Sequence, residues 1–403
     1  MAVEFGKWQK IERKKIVPPI LQGVEKIDIL NLDEGAQNDG TGNLGKYGML
    51  YEKTYKLKVS KFANGIFPAN MNDIKWEFSY LDNDNNLLSE IINKTGKEID
   101  FECNNLDFCG RTITFYAWVE GIQNTKAELE VFCHNRFRWF DRVIFERELT
   151  ERTDKKHPFL IDQGNSPLCG MACLFYIFAK TKPEEYKAFS FDLFTKGKAI
   201  YNNYEVKPVE KILETTVDFS GFPVNTNKMP IVDFVTLFSL RNSKKKKFTK
   251  SKQQWKGINW PWTMENLCGD FLGYKDIVRK IDYFKHPKKD EKTDEKLYIL
   301  ENEINAAFKK DYNICLMVDV DIVNTKSFPS SSNKIYSLSD YGEYHWIVYC
   351  GNLKFLDIHK AETNNYSKID TIQFDIFTWG VLETTSLKKE QFEGNYYGYI
   401  KMK

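Results

Sequence analysis

The sequence predicts an α+β fold in two domains, an N-terminal β-sandwich followed by an α+β domain with an antiparallel sheet. Three observations carry this. Residues from about 25 to 135 read as short strands broken by turn-rich stretches, the texture turns helical near residue 169, and the last quarter returns to strands. Helices followed by an antiparallel sheet is an α+β order. The chain has 403 residues, 42% of them hydrophobic and 15% aromatic, which is enough for one or two real cores and excludes a disordered or collagen-like chain. A net charge of +2 gives composition no case for nucleic-acid binding.

The N-terminal elements come first. "YEKTYKLKVSKF" (51–62), "DIKWEFSYLD" (73–82), "RTITFYAWVEG" (111–121) and "AELEVFCHN" (127–135) alternate or cluster β-branched and aromatic residues. "LDEGAQNDGTGNLG", "LDNDNN" and "NKTGKE" punctuate them as turns. This pattern predicts a sandwich of immunoglobulin type over 23–140, after a leader at 1–22. Nothing in it looks catalytic. Cys103, Cys109 and Cys133 lie together in sequence with His134 next, but their spacing matches no standard zinc pattern, so they are read as buried or free thiols.

"DRVIFERELTERTDKKHP" (141–158) is charged and mixed and reads as a connector, with 141–156 as the linker proper. The second domain, 157–403, opens with helices at "CGMACLFYIFAK" (169–180) and "PEEYKAFSFDLFTKGKAI" (183–200), the latter started by Pro183. "MPIVDFVTLFSLR" (229–241) and "DEKLYILENEINAAFKK" (294–310) also fit helices. "YNICLMVDVDIV" (312–323), "YHWIVYC" (344–350), "LKFLDI" (353–358) and "YYGYIKMK" (396–403) fit strands. The basic run 243–256 reads as a solvated insertion, with an anionic docking surface as the alternative. The first 30 residues hold no apolar segment of signal-peptide length, and no window has the roughly 20 apolar residues of a membrane span. A chain made in the cytoplasm, and exported only by a route that reads no N-terminal signal, is the expectation.

Four residues make a candidate site. "SPLCGMACLFYIF" puts Cys169 where a loop hands over to a helix, and the helix N-terminus favours a thiolate there. Cys173 lies one turn deeper and is read as packed. Among the five histidines, His345 opens an apolar strand directly after a polar loop, the position for a ring that faces a cleft; His359 is the weaker rival. Asp357 follows the next strand-like run after a turn at Gly351 and Asn352, which would make it a cross-strand neighbour able to orient His345. Gln163, six positions before Cys169, would hold an oxyanion together with the Cys169 amide.

Gln163, then Cys169–Gly170 opening a helix, then "HWIVYCG" and "FLD", resembles the papain-like cysteine peptidase superfamily, most of all its bacterial Cys-His-Asp branch. The resemblance covers about 157–403 and implies a hydrolase in which Cys169 is the nucleophile, His345 the base, Asp357 the orienting carboxylate and Gln163 the oxyanion-hole amide. It implies a protein or peptide substrate and no metal or cofactor. Hydrolysis of a peptidoglycan cross-link, glutamine deamidation and a non-catalytic adaptor role stay open beside it. The family's "NSWG" stretch is missing, "FTWG" (377–380) being a faint echo. "IKWEFSYLD…GKEIDF…GRTITFYAWVEG" and "PIVDFVTLFSLRNS" are similar to segments of secreted Bacteroidetes proteins, among them antibacterial toxins delivered by contact-dependent (type VI) secretion. That second resemblance implies a secretion-machine partner and a cognate immunity protein.

Overall fold

The computed structural model describes residues 23–82, 84–122, 126–226, 228–245, 249, 259–281, 293–323 and 344–403. The leader 1–22, most of the basic run 243–256 and the polar loop before His345 lie outside the described residues. The chain is mixed α and β with several antiparallel sheets. It divides into two compact units, residues 1–32 with 51–133, and residues 33–50 with 134–403.

In chain order the strands of the N-terminal part are β1 (Val24–Ile29), β2 (Asp33–Ala36), β3 (Leu44–Gly48), β4 (Lys53–Phe62), β5 (Ile74–Leu81), β6 (Leu87–Ile92), β7 (Glu98–Cys103), β8 (Thr112–Val119) and β9 (Ala127–Phe132). The first unit has two antiparallel sheets, β1-β4-β7 and β6-β5-β8-β9. Alternation gives each an inner apolar row, clearest in β7 and β8, where every second residue is buried. The rows meet through rings: Phe101 of β7 lies edge-on to Phe78 of β5 and Phe115 of β8, at 5.5 and 4.8 Å.

The hairpin β2–β3, inside the stretch read as sandwich, clusters with the second unit. The Asp141 carboxylate accepts the amides of Asp39, Gly40 and Gly42, and Ala36 donates to the Arg138 carbonyl. The stretch read as a connector is a packed helix, α1 (Arg142–Arg152). Asp141 caps it through the Val143 and Ile144 amides, and Phe145, Leu149 and Arg152 are buried. Most of the mixed charge that suggested a linker lies on the faces of this helix away from the buried row of Phe145, Leu149 and Arg152.

Helix α2 (Cys169–Thr181) is apolar all round and buried from Cys169 to Ala179, so it lies inside the unit. Helix α3 (Pro183–Lys196) follows, started by Pro183 and stopped by Gly197 in the left-handed region. Two short strands, β10 (Ala199–Tyr201) and β11 (Tyr204–Val206), pair with each other. The remaining strands are β12 (Ile277–Ile281), β13 (Asn313–Asp319), β14 (Tyr344–Leu356), β15 (Thr371–Thr378), β16 (Val381–Lys388) and β17 (Tyr396–Met402), forming one antiparallel sheet in the order β12-β17-β13-β14-β15-β16. Its two faces fill different cores. Cys315, Met317, Trp346, Val348 and Phe377 face the core built around α2, while Ile314, Leu316, Val318, Ile347 and Tyr349 face the helical segment 293–308.

Candidate active site

Cys169 is the first residue of α2, as its loop-to-helix context predicts. The next residue is tightly enclosed: a Cβ on Gly170 would lie 2.5 Å from the Asn259 side-chain nitrogen, 2.6 Å from the Met264 sulfur and 2.8 Å from the Asn259 Cβ, so these neighbours would have to shift. Asn259 in turn accepts the Trp346 indole N–H at its carbonyl, 2.9 Å. This ties the start of α2 to the start of β14. The Trp346 backbone amide is in hydrogen-bonding position on the Cys169 sulfur, as are the amides of Gly170 and of Cys169 itself. Cys169 thus meets β14 at the peptide bond joining His345 and Trp346.

Side chains alternate along β14, and Trp346 enters the α2 core. The His345 ring is buried. Its Nε2 lies 2.8 Å from Thr378 Oγ1, and its face stacks on Trp379 at 4.4 Å. Thr378 and Trp379 come from the tip of the β15–β16 hairpin, where Thr378 pairs with Val381 across a two-residue loop, Trp379-Gly380. Both loop residues have positive φ, 40° and 73°, as a type I′ turn requires. A bulky residue is costly at the first of these positions. The turn therefore holds the Trp379 indole over His345 at the expense of backbone strain, a pattern found at functional sites.

Asp357 is not beside His345. The sequence suggested a turn at Gly351–Asn352 that would fold Asp357 back, but β14 runs through it without a break. Gly351 and Asn352 do have positive φ, 94° and 55°, yet they form a bulge: Tyr349 faces Ile376 while Lys354 faces Gln373. His345 and Asp357 sit at opposite ends of this strand, on the order of 35 Å of extended backbone apart. The Asp357 carboxylate instead accepts the amides of His359 and Ala361 in a surface turn. Thr378 holds the position expected of Asp357, and it belongs to the "FTWG" stretch.

Gln163 is buried in the loop before α2. Its side-chain amide donates to the Ser166 carbonyl, 3.1 Å, and its own carbonyl accepts the Ser166 hydroxyl, 2.6 Å. An amide nitrogen carries two hydrogens, so one remains beyond that bond. The loop is anchored from below by a buried ion pair. Arg152 of α1 makes a bidentate contact with Asp233, 2.7 and 3.1 Å, and donates to the Leu160 carbonyl, while Asp233 also accepts the Asp162 amide at 2.9 Å. Gly380 packs against this loop, its Cβ position 3.2 Å from the Asp162 Cβ. None of these anchors is visible as a motif, because the pair spans 81 residues.

Burial sets the electrostatics. It pushes the Cys169 thiol up, against the three amides that favour the thiolate. It pushes His345 down to about 3. A helix N-terminus lowers a thiol, but desolvation of the buried sulfur outweighs it here. At neutral pH the resting pair is therefore a neutral thiol and a neutral imidazole. Glu148, which accepts the Val232 amide, is raised to about 7 by burial, and Asp233 to about 6.

Comparisons of the chain with protein-family models, with curated proteins and with solved structures return no match.

Proposed function

We propose that the chain is a papain-like cysteine hydrolase that cleaves an amide bond in a protein or peptide, with Cys169 as nucleophile and His345 as base. The observation that carries the proposal is the approach of the Cys169 sulfur to the His345–Trp346 peptide, with the imidazole held through Nε2 by Thr378. A hydroxyl accepting from Nε2–H fixes the tautomer that leaves Nδ1 as the base. Because both groups are neutral at rest, His345 takes the thiol proton as the sulfur attacks, so no ion pair is formed beforehand. The oxyanion is received by the Cys169 amide and the second Gln163 amide hydrogen. His345 then protonates the leaving amine, and water releases the acyl group from the thioester.

The N-terminal unit, with three strands facing four, supports the immunoglobulin-like reading of that part. With the resemblance to secreted toxins it makes an antibacterial effector our choice of role, with a cognate immunity protein and a secretion-machine component as its partners. Among the described residues no helix is long and apolar enough to cross a membrane. The burial of both reacting groups favours one rival, a non-catalytic binding protein of the same fold.

Growth of bacteria expressing the wild type or Cys169→Ala, in the cytoplasm and separately with an export signal, separates these readings. Killing by the wild type alone supports the hydrolase, and the compartment in which it occurs selects a cytoplasmic protein or the cell wall as target. Equal killing by both forms, or by neither, favours the binding protein.

A further inference from the structure

A second group of thiols lies in the N-terminal unit, and the proposed reaction does not use it. Cys103 is the last residue of β7 in the three-stranded sheet, and Cys133 directly follows β9 in the four-stranded sheet. Their sulfurs are 3.5 Å apart, and both residues are wholly buried. Cys109, in the turn between β7 and β8, also has its sulfur in hydrogen-bonding position on Cys133, and at 6% exposure it is the least buried of the three. Backbone bonds fix the surroundings: Glu52 donates to the Cys103 carbonyl, Gly110 to the Cys133 carbonyl, and Cys133 to the Arg111 carbonyl, all at 2.7–2.8 Å.

Two thiols in contact at the ends of strands from opposite sheets are placed to be joined. A disulfide needs a sulfur separation of about 2.0 Å, so the gap to close is about 1.5 Å, within the range of side-chain rotation at two residues. Packing alone would be served as well by a small apolar side chain at each position.

We propose that Cys103 and Cys133 form an inter-sheet disulfide when the protein meets a low-molecular-weight disulfide oxidant, with Cys109 as the entry thiol. The Cys109 thiolate attacks the oxidant and releases one of its thiols. Cys133 attacks the Cys109 sulfur of the mixed disulfide and releases the second. Cys103 then attacks Cys133 and returns Cys109 to its thiol. The oxidant's disulfide is reduced to two thiols, which take up the two protons, and the protein gains one disulfide. The bond closes a loop across 30 positions and constrains the unfolded unit. It sets in an oxidising compartment and is absent in a reducing one.

The test uses the full chain, purified reduced and incubated with oxidised or with reduced glutathione, then alkylated and mapped by peptide mass spectrometry. The expected result in oxidised glutathione is loss of two of the eight alkylatable thiols, a single cross-link joining the Cys103 and Cys133 peptides, and a raised melting transition that dithiothreitol reverses. Cys103→Ser should lose both the bond and the shift, and Cys109→Ser should keep the bond but form it more slowly. Eight thiols still alkylatable, a cross-link at any other pair, or glutathione left on Cys109 without closure would each overturn the proposal. The peptide map of the unmodified chain decides even if a variant fails to fold.

Discussion

Cys169 and Cys133 are both buried cysteines whose thiols are held up, but for different reasons. Around Cys169 burial alone raises the thiol, and three backbone amides oppose it. Around Cys133 the neighbouring thiols of Cys103 and Cys109 raise it first, and burial adds to them. One sulfur is surrounded by donors that will support negative charge once a proton acceptor is in reach. The other is surrounded by groups that gain nothing from its ionisation and can only bond to it. Burial therefore does not identify a nucleophile; the polar groups within hydrogen-bonding distance do.

The sharpest way to break this contrast is to remove each sulfur. Cys169→Ala should abolish amide hydrolysis and killing, while Cys133→Ala should leave both unchanged under reducing conditions. Activity in a panel of amide substrates and in the growth assay checks this. Next in size is the anchor of the Gln163 loop. Arg152→Met leaves Asp233 buried without its partner and should cost about 3–5 kcal/mol. Urea unfolding of the C-terminal unit measures it. If the contrast holds, native-state alkylation of Cys169 rises in this variant and that of Cys133 does not.

His345 supplies a pH test. Burial holds the folded imidazole at about 3 against an unperturbed 6.5. Below pH 6.5 the unfolded chain takes up a proton that the folded chain refuses until about pH 3. His345 therefore lowers stability progressively as pH falls through that window, by an amount of several kcal/mol at most. Glu148 and Asp233 act in the opposite sense. Their raised values mean that the folded chain keeps protons which the unfolded chain releases, so their contribution is lost as pH rises toward about 7 and 6. The clean readout is a difference: wild type minus His345→Gln, with stability measured from pH 3 to 7, should slope upward with pH. A flat difference would mean that the ring is solvated.

The residues whose neighbours in sequence are also neighbours in space were legible. The loop-to-helix step puts Cys169 at the start of α2, and the strand start puts His345 at the start of β14. Alternation located β5, β8 and β9 close to their observed bounds. What failed depended on distant packing. Gly351–Asn352 has turn chemistry, but pairing of β14 with β15 on both sides of it keeps the strand continuous and makes a bulge. That removed Asp357 from the site. Asp141 looked like the start of a connector because the amides it accepts lie about a hundred positions earlier. "FTWG" carries a local signal of its own, a bulky residue before glycine, at what the structure shows to be a tight hairpin with a strained tip.

Thr378 and Trp379 allow the finest tests. Thr378→Val keeps the shape and removes the oxygen facing His345 Nε2, leaving that nitrogen unpaired in a dry site. The loss of a net hydrogen bond of about 1–1.5 kcal/mol corresponds to roughly a tenfold fall in kcat/KM. Trp379→Asn should separate fold from function more finely still. Asparagine adopts positive φ readily and is favoured at the first position of this turn, so the hairpin gains what the indole costs its backbone. The stack on His345, of the order of 1 kcal/mol, is lost in return. Global stability should change by less than about 1 kcal/mol because the two effects oppose each other. The imidazole should not be neutral in that balance: with the indole gone, water reaches the ring and its pKa should climb from about 3 toward the ordinary value. An NMR titration of His345 in the two proteins reads this directly. An unchanged midpoint would assign the desolvation to the sheet and the helices behind it, and leave the strained turn without a part in the chemistry.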